Sequence, residues 1–190
     1  TRFLEDVSAS GIHPDLAHAA NSAALIRFPE THLDLVRPGI ALYGSHPVPE
    51  IAPDRVSLRP AMTLKTRIIQ IKPVPSGFKV SYNKTWEAKA PTVIATIPLG
   101  YADGYNRLLS SRAAMLVKGQ RAPVAGRVCM DLTMLDVGHI PGVTLEDEVV
   151  VFGRQGEEIL PVEELAQALG TITYEVFTRI GDRVERIYQP

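Results

Sequence analysis

Hydrophobic and polar positions change rhythm twice along this chain. Over residues 16–21 a short apolar run closes at Asn21-Ser22, and Ala23-Ala24-Leu25-Ile26 then suits a helix whose start is capped by a side-chain oxygen. Residues 33–36 read as a second short strand that breaks at Arg37-Pro38-Gly39. Ile40-Ala41-Leu42-Tyr43 resumes as an element stopped by Gly44. Strand, polar turn, helix, strand, polar turn is the βα rhythm of a parallel sheet or barrel, in which the loops after the strands hold ligands. Residues 1–45 therefore read as the tail of an α/β repeat. Residues 46–60, with Pro47, Pro49, Pro53 and Pro60, break the pattern and read as a linker.

Beyond the prolines the period becomes two. Met62, Leu64, Thr66 and Ile68 alternate with Thr63, Lys65 and Arg67, the pattern of a half-buried strand. Residues 93–99 and 147–152 are strand-like too, and 184–188 suggest a last strand. Residues 113–117 and 124–128 flank Lys118-Gly119-Gln120 as a candidate hairpin. One helix is strongly marked: Val162, Leu165, Ala166 and Leu169 share a face, Pro161 opens it, Glu163 and Glu164 face its positive end, and Gly170 stops it. A shorter helix is expected over residues 175–180. The chain contains no internal repeat and no low-complexity segment.

Composition narrows the function classes. With 190 residues and 45% hydrophobic content, the chain can bury a core and could hold one large or two small domains. A net charge of -1, with no Lys/Arg run interleaved by aromatics, argues against nucleic acid. The apolar stretches are strand length, short of a membrane span. The single cysteine, Cys129, rules out an internal disulfide framework and suits a reducing compartment. His13, His18, His32, His46 and His139 show no ligand spacing, so no metal is expected. The opening at Thr1-Arg2-Phe3-Leu4 lacks an initiator Met and a signal-peptide pattern, and reads as the middle of a longer protein.

The chemistry concentrates in loops at strand ends: Arg37-Pro38-Gly39-Ile40, Val80-Ser81-Tyr82, and Gly100-Tyr101-Ala102-Asp103-Gly104. A tyrosine held beside cations can act as a general base despite a reference pKa of about 10, because positive neighbours stabilise the phenolate. That points to proton abstraction. Together with Asn21-Ser22, Gly126-Arg127-Val128-Cys129-Met130-Asp131 and Tyr174-Glu175, these motifs occur in an order that resembles the C-terminal half of bacterial alanine racemase. Each motif alone is weak; all of them in one order, from about His18 to the C-terminus, are specific.

The resemblance implies the last βα units of an α/β barrel (residues 1–45), a Pro-rich linker (46–60) and a mainly-β C-terminal domain (61–190), the fold type III arrangement of enzymes that use pyridoxal 5'-phosphate. It implies interconversion of L- and D-alanine by two bases on opposite faces of a planar carbanion, D-alanine supply for peptidoglycan, a cytoplasmic setting, and a homodimer whose active site is shared between subunits. Tyr82 matches the catalytic tyrosine on the L face. Arg37 matches the arginine at the pyridine nitrogen, where a group with a pKa above about 12 cannot give up its proton. Asn21, Ser22, Gly39, Ile40 and Tyr174 match phosphate-side positions, Ser22 at a helix start that favours an anion. Met130 matches a substrate contact made through its backbone N–H, and Tyr101 a residue lining the access channel.

The lysine that would carry the cofactor is not expected among Lys65, Lys72, Lys79, Lys84, Lys89 and Lys118, all of which follow the barrel-like segment. Residues 1–190 alone are therefore expected to be inactive. For Asn21 and Ser22, helix capping competes with anion binding. Residues 108–112 and 137–143 match nothing assignable. Two other readings stand beside the racemase: a decarboxylase of the same cofactor class, disfavoured by a cation at Arg37, and a non-catalytic β-domain, which leaves the barrel-like turns unexplained.

Overall fold

The computed structural model describes residues 2–47 and 56–189. Of the linker expected over 46–60, residues 48–55 lie outside the described residues. The chain forms two compact units, Thr1–Ala61 and Met62–Pro190.

The first unit holds α1 (Arg2–Ala9), β1 (His18–Asn21), α2 (Ser22–Arg27) and β2 (Leu35–Arg37), followed by a 3-10 turn over Ile40–Tyr43. β1 and β2 pair in parallel, with His18 opposite Leu35 and Asn21 opposite Arg37. The βα reading of the sequence is therefore met. Within the described residues Leu35 is 46% exposed on this two-stranded sheet. β2 also starts late: Leu33 adopts φ 50°, which a strand residue cannot hold. Among the described residues of this unit, Ala20, Ile40, Ser22 and Ser45 are buried.

The second unit is mainly β: β3 (Leu64–Arg67), β4 (Gln70–Val74), β5 (Lys79–Val80), β6 (Trp86–Glu87), β7 (Thr92–Ile97), β8 (Ala114–Val117), β9 (Gln120–Pro123), β10 (Thr133–Asp136), β11 (Glu148–Gln155) and β12 (Glu158–Leu160), then α3 (Val162–Leu169) and α4 (Thr173–Thr178). β11 is central, pairing antiparallel with β3, β8 and β12. Its register against β3 slips between Val150 and Phe152, so alternation is interrupted and Val149, Val150, Val151 and Phe152 are all buried. Phe152 meets Phe177 of α4 edge to face at 5.9 Å.

Several elements depart from the sequence pattern for identifiable reasons. β4 contains Pro73, which argues against a strand, but β4 is the edge of the sheet β10-β7-β4, where a missing N–H is tolerated. The β8–β9 hairpin turns on Lys118-Gly119 alone, with φ of 50° and 70°, so Gln120 already pairs with Val117 and the return strand ends before Val124. The strand expected over 184–188 does not form; that segment is held instead by Arg186, whose Nη2 donates to the Ile180 carbonyl at 2.9 Å.

Candidate active site

In the first unit, the turn after β1 and the turn after β2 meet on one hydroxyl. Asn21 caps α2, its Oδ1 accepting from the Ala24 N–H at 3.0 Å. Buried Ser22 Oγ accepts from the N–H of Gly39 at 2.8 Å and of Ala41 at 3.3 Å. Those bonds use the acceptor side of the hydroxyl and leave its proton to give to an incoming oxygen. The Gly39 N–H is thus engaged internally, whereas the Ile40 N–H has no acceptor among the described residues. Arg37 is exposed, and its Nη2 donates to the Ala19 carbonyl at 3.2 Å, which ties the β2 end to β1.

In the second unit, Tyr82 issues from a rigid base. Val80 is buried in a cluster with Val74, Ala88, Ile94 and Ala125, on which Phe78, Trp86 and Met134 pack. The chain then turns sharply: Ser81 has φ 69° and ψ 178°, Asn83 φ 60° and Lys84 φ 51°. Such a run of left-handed residues costs about 1–3 kcal/mol each and persists only where neighbours enforce it. Tyr82 is 70% exposed, and its phenol makes no hydrogen bond among the described residues. Tyr105 is the contrast: it is buried, and burial pushes its phenol well up, so it stays neutral in the core.

Residues 126–130 form a strap opposite Ser81. Gly126 N–H donates to Ser111 Oγ at 3.2 Å, Arg127 N–H to Ser81 Oγ at 3.0 Å, and Val128 N–H to Ser110 Oγ at 3.0 Å. Three successive amides are therefore satisfied by serine hydroxyls rather than by a strand partner. The strap then crosses the Tyr101 loop, where Tyr101 N–H donates to Cys129 O and Ala102 N–H to Met130 O, both at 3.0 Å. Gly100 permits this crossing, since a Cβ there would lie 2.2 Å from Met130 O. The Met130 N–H has no acceptor among the described residues, and its side chain is exposed.

Charge braces the crossing from behind. Arg183 reaches Asp103 Oδ1 at 3.2 Å and Asp131 Oδ1 at 2.8 Å, and Asp103 Oδ2 accepts from the Gly100 N–H at 2.8 Å. Hydrogen bonding to Asp131, with the charge of Asp103, raises the Arg183 pKa further, so the guanidinium stays charged. An open cleft of about 350 Å³ beside Tyr101 is lined by Gly104, Asn106, Arg107 and Arg179. Tyr174 sits on the first turn of α4, partly exposed. Among the described residues no group of three or more His, Cys, Asp or Glu could hold a metal, and no helix is long and apolar enough to cross a membrane.

Sequence reasoning missed Ser81, Ser110, Ser111, Asp103 and Arg183 as site-building groups. Ser110 and Ser111 fall in the stretch 108–112 that matched nothing, because single serines carry no periodic signal and their partners lie 15 to 18 residues away.

Family models for the alanine racemase C-terminal domain and N-terminal domain match residues 61–188 and 1–47, respectively. This chain belongs to the alanine racemase family. It is 55% identical over 186 residues to the alanine racemase of Desulfosudis oleivorans, covering 98% of this chain and 48% of that relative. Among solved structures it is similar to the alanine racemase of Streptomyces lavendulae (TM-score 0.92, 41% identity, 100% of this chain and 50% of that one). It is also similar to that of Bacillus anthracis with bound L-Ala-P (TM-score 0.89, 42% identity, 96% and 47%). The chain spans about half the length of the curated relatives it matches. Its fold is that of the alanine racemases, the last βα units of a barrel followed by a mainly-β domain.

Proposed function

We propose that this chain supplies one base, the substrate-carboxylate donor and part of the cofactor cradle of an enzyme that interconverts L- and D-alanine. In this reading residues 1–45 end the barrel, 46–60 link, and 61–190 form the β-domain. The observation that carries it is the pairing of two unspent groups on one braced scaffold: the exposed Tyr82 phenol and the Met130 N–H. Tyr82 takes the α-proton from L-alanine, and a second base on the opposite face returns one, so configuration inverts without net loss of a proton. The Met130 N–H donates to the substrate carboxylate, and Tyr101 narrows the channel to it.

The residues of the first unit fit a phosphorylated, ring-nitrogen cofactor. Ser22 has a free hydroxyl proton and Ile40 a free N–H for a phosphate oxygen, and Asn21 and Gly39 hold that turn in shape. Tyr174 adds a phenolic donor for the phosphate. Arg37 offers a permanent cation to an aromatic nitrogen and keeps it unprotonated. Held there, pyridoxal 5'-phosphate would supply an electron sink for the Cα–H electron pair. The exposed Tyr82, Tyr101, Met130 and Ile172 suit a surface covered by a second copy, so the working form is a homodimer with shared sites. D-alanine for the cell wall is then its product, made in the cytoplasm.

Isomer-resolved exchange tests the base assignment. In the complete enzyme, Tyr82→Phe removes one oxygen from an exposed side chain, so the fold should persist. Deuterium uptake from solvent at the α-carbon of L-alanine should fall about a hundredfold to ten-thousandfold, while uptake by D-alanine continues. Normal exchange from L-alanine would mean that another group is the base.

A further inference from the structure

We propose that Ser81 is a positioning residue for Tyr82: its hydroxyl locks the turn presenting the tyrosine onto the strap that carries Met130. The backbone of Ser81, at φ 69° and ψ 178°, lies in a region that is essentially glycine's. A turn that needed only this shape would be served better by glycine, so the serine side chain must return something. Its hydroxyl satisfies both backbone groups of one residue, accepting from the Arg127 N–H at 3.0 Å and donating to the Arg127 carbonyl at 2.8 Å. A lone hydroxyl can do that only when the two segments are held at one separation and one angle.

The surroundings leave the joint no slack. Gly126, at φ 85°, approaches so closely that a Cβ would stand 2.7 Å from Ser81 Cβ and 3.1 Å from the Val80 carbonyl. Ser111 and Ser110 take the amides on either side of Arg127, so the strap cannot slide to meet a displaced Ser81. Val80 on one side of the joint is fixed in the core. Met130 on the other side is fixed by its carbonyl's bond to the Ala102 N–H. The distance between the base and the carboxylate donor is therefore set through Ser81, whose hydroxyl is spent on the Arg127 backbone.

This inference rests on Tyr82 being the base, and the test separates the two. In the complete enzyme, Ser81→Ala keeps the backbone demand and deletes the clamp. Ser81→Gly deletes the clamp and relieves the backbone, and so guards against a misfolded alanine variant. Both should lose about tenfold to a hundredfold of α-deuterium exchange from L-alanine, the scale of a misplacement of order 1 Å, with exchange from D-alanine far less affected. Wild-type exchange from L-alanine in the folded variants, or equal loss from both isomers, would overturn the positioning role. Tyr82→Phe is run beside them. If it loses L-alanine exchange and the Ser81 variants do not, only the positioning claim fails; if it keeps that exchange, the base assignment fails and the Ser81 claim with it.

Discussion

Gly100→Ala tests whether the crossing of the Tyr101 loop and the Met130 strap builds the site. The backbone of Gly100 is extended, at φ -146° and ψ -165°, so alanine can adopt it and the effect isolates space. The added Cβ would stand 2.2 Å from Met130 O and 2.4 Å from Cys129 O, where ordinary contact begins near 3.4 Å. The strap must retreat by roughly 1.2 Å, the difference between those two distances. Backbone cannot swing aside as a side chain can, so the Tyr101–Cys129 and Ala102–Met130 hydrogen bonds stretch beyond their 3.0 Å. Two such bonds contribute about 1–3 kcal/mol together, and residual overpacking adds about 1 kcal/mol or more. A loss of about 2–4 kcal/mol is therefore expected on urea unfolding. A shift of that size in the Met130 N–H should also lower kcat/KM for alanine in the complete enzyme by about a hundredfold. Gly181→Ala is the control, since its Cβ would meet Ala102 O at an ordinary 3.6 Å. Stability within about 0.5 kcal/mol of the parent, with unchanged kcat/KM, would refute the claim that this crossing places Met130.

Two further outcomes concern the second unit. Leu116→Ala opens a hole between Leu116, Val150 and Leu160, all buried, and should cost about 2–5 kcal/mol on denaturant unfolding; a cost under about 1 kcal/mol would mean that the β8–β11 face repacks freely. Asp147 has its pKa lowered by the Thr144 N–H bond, at 2.7 Å, and by Lys118, so it stabilises the fold above its unfolded pKa of about 3.9 and loses this as pH falls through its lower folded pKa. Asp147→Asn should therefore be less stable than the parent at neutral pH, with the gap closing below about pH 4; a gap that stays constant from pH 7 to pH 3 would contradict that linkage.

Local pattern alone determined a good deal about this protein. The apolar stripe Val162, Leu165, Ala166 with its Gly170 stop specifies α3, because helical period and cap are both short-range. Asn21 ahead of an apolar turn specifies the start of α2 for the same reason. The order of the loop motifs specified the family, since each is a contiguous run of residue types. Tertiary structure decided the rest. Whether Pro73 could sit in a strand depended on β4 being an edge, a property of its neighbours. Above all, the strap from Gly126 to Met130 is shaped by hydroxyls of Ser81, Ser110 and Ser111 and braced by Arg183. A hydroxyl or a guanidinium is indifferent to sequence distance. Its bond exists only once the chain has brought the partner within about 3 Å, so the groups that aim Tyr82 and Met130 were invisible until the fold had placed them.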